Sequence, residues 1–393
     1  MFAERRQVKQ FGMKMRKRLA IIVLCCVGCF FVSYYKIILG KYFKKAATNV
    51  LKKEAPIILL YTTWNVEEYW SDLYPENLKS HLKDTNCSIT DCTITYDKDK
   101  IAKASAVLFH AQDLTSDDLY LPKSLSSLKR LPHQRWVWVN QESPLNLKNV
   151  KSYNGLFNWT ATYHRNSDIF LPYGNYVKDN STNFYTHSKF LKRLLKQKRR
   201  LIAWAVSDCG GLREKFVLKL QNYLNITVFG KCNKRFKCQD SCIPKTTGCR
   251  EKLKQFKFYL SFENSICEDY VTEKYWENAL LHNSVPIVFG ANYDKKVAIP
   301  GSFINIQNFK SVIDLANYIS FLDRNDDYYF KYFDWKKKFK AKQTEDLLCL
   351  MCKKLHNQTM PEKVYEDLDA FWSRRRHCSH YDVLSKKVQH QLV

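Results

Sequence analysis

The 393-residue chain lacks a glycine-rich phosphate loop: neither GxGxxG nor GxxxxGK followed by Ser or Thr occurs in it. That absence argues against a dinucleotide oxidoreductase or a P-loop enzyme. No internal repeat is visible either. Acidic residues are scarce, 38 against 64 Lys and Arg, which leaves a formal charge of +26. Such a balance implies an anionic partner, whether nucleic acid, a membrane surface or a phosphate-bearing small molecule. Apolar residues are not scarce. At 45% hydrophobic and 15% aromatic, the composition excludes a disordered basic tail and suits two domains of ordinary size.

One uncharged stretch is long. Leu19 to Tyr35, continued beyond Lys36 by Ile37, Ile38 and Leu39, can just cross a bilayer with Lys36 snorkelling. Seven basic residues between Arg5 and Arg18 precede it, and the positive-inside rule keeps such a cluster in the cytosol. Bulky Tyr34, Tyr35 and Lys36 offer no small-residue cleavage site, which favours an uncleaved anchor over a signal peptide. Residues 1–18 are then a cytosolic tail, 19–39 a transmembrane signal anchor and 40–55 a short basic stem. The remainder is lumenal. Glycosylation tripeptides at Asn86, Asn158, Asn180, Asn225 and Asn357 agree with that side.

Fourteen cysteines include three within the span, so an odd number remains outside it and at least one cannot pair within the chain. In an oxidising lumen disulfides are the expectation. Cys232, Cys238, Cys242 and Cys249 are irregularly spaced, and no second two-residue spacing matches Cys349 and Cys352. That speaks against a zinc ribbon.

Apolar runs of strand length alternate with helical patterns. Pro56 to Tyr61, Ala104 to His110 and Trp136 to Val139 are strands of a first half. The basic stretch Lys189 to Arg200, interleaved with Phe190, Leu191, Leu194 and Leu195, is a linking helix or connector near the boundary. A second set follows: strand 201–206, helix 213–223, strand 226–229, strand 256–262, helix 272–281, strand 285–289 and helix 311–322. Ser311 and Asp314 form a capping box for the last of these. The rhythm predicts an α/β fold of two Rossmann-like domains, 56–195 and 196–393, with ligands at the carboxyl ends of the strands and in the cleft between them.

The densest polar constellation follows strand 256–262. With Thr272 as N-cap, Lys274 falls in the first helical turn, where its charge opposes the macrodipole unless an anion binds there. Backbone N–H groups and Lys274 together suit a diphosphate. Arg213 stands similarly after strand 201–206 and the turn Ser207 to Gly211, and can converge on the same phosphates. Glu142 follows strand 136–139 in the other half, where it can face the cleft and accept a proton. Solvated Lys, Arg and Glu side chains are the bland alternative at each position.

FENS at 262–265, DYVTEK at 269–274, NALLHNSVPIVFGANYD at 278–294, PGSFINI at 300–306 and YFDW at 332–335 resemble, in order and spacing, the α1,3-fucosyltransferases of glycosyltransferase family 10. RWVWVNQESP at 135–144, FNWTATYHRNSDIFLPYG at 157–174 and WAVSDCGGLREKF at 204–216 are similar to that family's other blocks. The resemblance covers roughly 56–380. It implies a GT-B fold behind a type II anchor in the Golgi membrane, with the N-terminal domain presenting the acceptor and the C-terminal domain holding GDP-fucose. It implies inversion at the anomeric carbon, Glu142 as general base, Arg213 and Lys274 as diphosphate cations, and Asn264, Tyr270 and Glu273 as donor contacts. No bound metal or other cofactor is required, a divalent cation being at most stimulatory. The DxD-like strings Asp97-Lys98-Asp99 and Asp367-Leu368-Asp369 lie away from the donor blocks and are not read as metal sites.

Asp208 stands where the family commonly has Asn, and Asn283-Ser284 replaces a frequent glycine-containing turn. Cys349-Leu350-Met351-Cys352 followed by Leu355-His356 is similar to core-type members, which fucosylate the innermost GlcNAc of N-glycans. By the same resemblance their disulfide partners include Cys87 and Cys92. The expected activity is fucose transfer to the 3-hydroxyl of a GlcNAc-containing glycan, core GlcNAc favoured. A Lewis-type enzyme acting on antennal LacNAc or LacdiNAc and an inactive glycan-binding relative are the alternatives. Nucleic acid is not an expected partner, because no common RNA- or DNA-binding motif is present and an anchor would separate the basic domain from it.

Overall fold

The computed structural model describes residues 34–39, 54–64, 78–116, 130–179, 184–243, 246–291, 293, 297–357, 362–378 and 381–392. The chain divides into two compact units, Met1–Ala55 and Pro56–Val393. In the first, residues 34–39 are helical, with Tyr34, Tyr35, Ile37 and Leu39 exposed. The rest of the expected anchor, and Asn180, lie outside the described residues. Among the described residues no helix is long and apolar enough to cross a membrane.

The second unit contains two parallel sheets. The first comprises β1 (Ile57–Leu60), β2 (Thr93–Thr95), β3 (Ala106–His110), β4 (Arg135–Asn140), β5 (Trp159–Thr162) and β6 (Ile169–Phe170), in the order β2-β1-β3-β4-β5-β6. Its central strands are apolar on both faces. In β4, Val137 and Val139 join one core cluster while Trp136 and Trp138 join another, as a parallel strand covered on both sides requires.

An antiparallel ribbon of β7 (Asn175–Lys178) and β13 (Phe339–Lys342) lies outside both sheets. The second sheet comprises β8 (Arg200–Ala205), β9 (Ile226–Phe229), β10 (Phe256–Phe262), β11 (Val285–Phe289) and β12 (Ile304–Asn305), ordered β12-β11-β10-β8-β9. Helices Gly211–Leu220 and Val312–Arg324 cover it. Ser311 caps the latter, its Oγ accepting from the Asp314 N–H at 3.1 Å.

The expected helix 272–281 is instead a single turn, Glu273–Trp276, followed by a 3₁₀ turn at Leu280–His282. The Asn278 N–H closes on the Glu273 carbonyl at 2.8 Å, five residues back. That widened turn breaks the α-helical ladder. A one-turn helix carries little macrodipole, so the anion argument made from helix polarity at Lys274 loses its basis.

Residues beyond β13 cross back to the first sheet. Helix Leu347–His356 packs on one face and Tyr365, Leu368 and Trp372 on the other. The final helix, Tyr381–Gln391, returns Val388 to the core of the second. Disulfides Cys87–Cys349 and Cys92–Cys352 join the four cysteines singled out in the sequence. Cys209–Cys232, Cys242–Cys249 and Cys267–Cys378 also form, leaving Cys238 as the free cysteine among the described residues.

Asn86, Asn225 and Asn357 are exposed. Asn158 is not a glycosylation site in this fold: it is 5% exposed, its Oδ1 accepts from the Trp136 N–H at 2.9 Å, and its amide donates to the Lys363 carbonyl at 2.8 Å. Both DxD-like strings are caps. Asp97 accepts from the Asp99 N–H and Asp367 from the Ala370 N–H.

Candidate functional site

A doubly wound sheet opens a crevice where strand order reverses. In the second sheet that point lies between β8 and β10, and the residues leaving their carboxyl ends line a cleft of about 910 Å³. From β8 come Ser207 and Asp208, and from β10 comes Asn264. Five Lys and Arg side chains, Arg213 and Lys274 among them, face three carboxylates across it. The balance suits a bound anion.

After β8 the chain turns through Gly210 and Gly211, at φ 102° and 79°, a region only glycine enters without strain. Helix Gly211–Leu220 then starts without a side-chain cap from Gly210. Arg213, 8% exposed, donates to the Asp208 carbonyl at 2.7 Å, to its carboxylate at 3.1 Å and to the Phe262 carbonyl at 3.3 Å. It thereby ties the β8 turn to the end of β10.

Lys274 is held by acids. Its Nζ lies 3.0 Å from Glu273, 3.4 Å from Glu263 and 3.0 Å from the Thr272 hydroxyl. Burial disfavours the ammonium, but the two carboxylates outweigh it and push the pKa above its usual value. Burial would raise Glu273, yet Lys274 beside it holds that carboxyl below the usual range. Glu263, immediately after β10, points inward. It is 2% exposed, accepts from the Thr272 N–H at 2.9 Å, the Thr272 hydroxyl at 2.8 Å and the Tyr293 hydroxyl at 3.1 Å, and is pushed up by burial. Asn264 Oδ1, on the same wall, is buried without a partner among the described residues. An unpaired buried acceptor costs about 1–3 kcal/mol, a cost that a ligand hydroxyl or amine would remove.

Glu142 and Tyr270 do not line the cleft. They meet each other instead. After β4, Asn140 clamps the turn, donating to the Glu142 carbonyl at 2.7 Å and accepting its N–H at 3.1 Å. The Glu142 carboxylate accepts from Asn146 at 2.8 Å and from the Tyr270 hydroxyl at 3.2 Å. Burial raises the Tyr270 pKa well above the ordinary phenol value, so the hydroxyl stays a donor. Next to it, Ser143 donates to Ser265 at 2.7 Å.

The loop carrying Tyr270 is fixed to the first half. Asp269, at φ 59°, accepts two guanidinium hydrogen bonds from Arg165, at 2.8 and 2.7 Å, and Cys267 is bonded to Cys378. Arg165, Ser143, Ser265 and Cys267 were not singled out in the sequence. Only the folded loop shows their pairing.

The family description "Glycosyltransferase family 10 (fucosyltransferase) C-term" matches residues 195–372, and "Fucosyltransferase, N-terminal" matches 53–174. A 4-galactosyl-N-acetylglucosaminide 3-alpha-L-fucosyltransferase of Pan troglodytes is 35% identical over 277 residues, covering 68% of this chain and 72% of the relative. A 3-galactosyl-N-acetylglucosaminide 4-alpha-L-fucosyltransferase of Bos taurus is 35% identical over 332 residues, 80% and 83% of the two chains. Alpha-(1,3)-fucosyltransferase 7 of Rattus norvegicus is 32% identical over 297 residues, 73% and 74%. A solved α1,3-fucosyltransferase with GDP aligns at a TM-score of 0.46 and 16% identity, over 86% of this chain and 92% of that one.

Proposed function

Because the chain belongs to the glycosyltransferase family 10 fucosyltransferases, we propose that it moves L-fucose from GDP-fucose to the 3-hydroxyl of a GlcNAc residue with inversion. The observation that carries this reading is the meeting of two unlike elements. A carboxylate from the first sheet, Glu142, is held by Tyr270, on the same loop as Asn264 of the cation-rich cleft. In this reading the cleft binds the diphosphate, with Arg213 and Lys274 offsetting the charge that grows on the leaving group. Glu142 takes the proton of the acceptor hydroxyl. The acceptor oxygen bonds C1 of fucose on the face opposite the breaking C1–phosphate bond, and GDP departs. The two halves form a GT-B arrangement, and no step needs a bound metal.

The core GlcNAc of N-glycans is the favoured acceptor, supported by the Cys349-x-x-Cys352 segment and its bonds to Cys87 and Cys92. The name of the Pan troglodytes relative, which specifies a 4-galactosyl-N-acetylglucosaminide acceptor and a 3-linkage, favours antennal LacNAc as the second reading. The basic tail, the apolar stretch 19–39 and five disulfides support a type II protein of the Golgi membrane with its catalytic part in an oxidising lumen.

The test is transfer by the full-length chain in detergent, offered GDP-fucose with N-glycan cores and with LacNAc and LacdiNAc antennae, the products mapped by mass spectrometry. Fucose on the innermost GlcNAc is expected. Fucose on antennae alone replaces the core assignment with the Lewis-type one. No transfer to any acceptor, by protein that still binds GDP-fucose, rejects the transfer reading.

A further inference from the structure

Away from the cleft, three loops bring together side chains for which the reaction has no use. His164 follows β5, Glu268 follows β10, and His377 ends the one-turn helix Arg374–His377. His377 is 3% exposed and donates its Nε2–H to the Phe371 carbonyl at 2.5 Å. That fixes the tautomer and leaves a lone pair on Nδ1, and this atom is buried without a partner among the described residues. The ring of His164, also 3% exposed, stands 4.3 Å away between centroids. Its Nε2 lies 3.9 Å from Glu268 Oε2 and 3.9 Å from Asp269 Oδ2, beyond hydrogen-bond reach.

One ligand atom from each of His164, Glu268 and His377 lies within 4.8 Å of the others. Two atoms bound tetrahedrally to one zinc ion at about 2.0–2.1 Å sit roughly 3.3 Å apart, so a small closure of the three side chains would bind an ion. We propose that His164, Glu268 and His377 form a divalent metal site whose fitting ion is Zn²⁺.

Two imidazoles and one carboxylate are a zinc-type donor set, with a fourth position left for water. The Phe371 carbonyl supplies the orienting outer contact that metal-bound histidines carry. The Glu268 side chain is 46% exposed, which gives the ion an entry path. Cys267–Cys378 joins the residues next to Glu268 and His377, and the Glu268 N–H donates to the His377 carbonyl at 2.6 Å, so two ligands are preorganised covalently. Arg165 and Arg376 are the nearby cations, and Asp269, paired with Arg165, offsets one of them. Loading has one identifiable cost. The Asn166 N–H donates to His164 Nδ1 at 3.2 Å, and a ring ligating through Nε2 carries its proton on Nδ1 instead. The site is separate from the proposed donor cleft, and its role is to brace the loop that presents Tyr270.

The test is calorimetric titration of the EDTA-stripped, full-length chain with Zn²⁺, with Co²⁺ absorption as a reporter of tetrahedral ligation. One ion per chain is expected, together with a zinc-dependent rise in Tm. Glu268→Gln, at a half-exposed position that leaves the fold intact by near-ultraviolet circular dichroism, should weaken binding at least about tenfold. His377→Gln should do the same, and His133→Gln, at an exposed histidine elsewhere, should leave it unchanged. Absence of saturable binding to the wild-type chain overturns the assignment. So does binding that survives both ligand substitutions, which would place the ion elsewhere, for instance at the free thiol of Cys238.

Discussion

The two sheets share one strand order and differ in what stands at their switch points. Numbered from its own first strand, each runs 2-1-3-4-5, the first sheet adding β6 at its far edge. In the second sheet the crevice between β8 and β10 opens on Arg213, Lys274 and a partnerless Asn264 oxygen. In the first, the corresponding ends of β1 and β3 are closed on themselves. Thr62 accepts the His110 N–H at 2.8 Å, the His110 ring bonds Asp113 at 3.0 Å, and Trp64 stacks on it at 4.0 Å. Topology fixes where a ligand can enter. The loop residues decide whether an anion is welcome, and among the described residues Arg213 and Lys274 stand at the second crevice.

The sharpest way to separate the halves is to damage one contribution at a time. Glu142→Gln should lower kcat by roughly 10²–10⁴-fold, the usual effect of losing a general base, while calorimetry finds GDP affinity unchanged. A parallel loss of GDP binding would move Glu142 into the donor site. Arg213→Ala acts on the other half. Turnover should fall roughly 10²–10³-fold with a weaker GDP affinity, and an unchanged affinity would remove Arg213 from the diphosphate.

Replacing Cys87, Cys92, Cys349 and Cys352 together by Ser releases the helix Leu347–His356 from both of its disulfides and should cost about 2–5 kcal/mol in denaturant unfolding. Tyr270→Phe removes a single hydrogen bond to Glu142, about 0.5–1.5 kcal/mol. It should lower kcat by up to about tenfold and leave the KM for GDP-fucose alone.

The smallest effect concerns acid. Burial raises Asp168, but Lys363, the Thr160 N–H and Tyr365 outweigh it and hold its carboxyl below the usual 3.8. A carboxyl depressed in the folded state stabilises the fold above its unfolded value and loses that contribution as pH falls below it. As pH falls below about 4, unfolding free energy should therefore drop by less in Asp168→Asn than in the wild type. Equal acid sensitivity in both would place the loss elsewhere.

Much of the second half was legible in the sequence. Strands 226–229, 256–262 and 285–289 have the bounds the apolar runs predict, because a strand buried on both faces announces itself as a continuous apolar run. Arg213 and Lys274 were found from their places after strands, and the cleft contains both. The helix expected over 272–281 was not legible in its true form. Its apolar side chains follow the packing of Tyr275 and Trp276, whereas the ladder breaks at a backbone bond from Asn278 that no side-chain pattern encodes.

In the first half β5 escaped, as did the ribbon that pairs β7 with β13 from the second half, all four-residue elements with little periodicity to read. The sequence also placed Tyr270 among the donor contacts. Its hydroxyl goes to Glu142 because the Asp269–Arg165 pair and the Cys267–Cys378 bond turn the loop toward the first sheet. The partners in both contacts are more than one hundred residues apart in the chain. Asn158 shows the same limit, a glycosylation pattern in sequence and a buried structural amide in the fold.

GDP is expected to enter the switch point of the second sheet and not that of the first. Amide hydrogen exchange of the full-length chain with and without GDP tests it directly. The account predicts protection confined to residues 207–214 and 263–274, with 57–62 and 106–113 unchanged. Protection at the ends of β1 and β3, with none near Arg213 and Lys274, would contradict it.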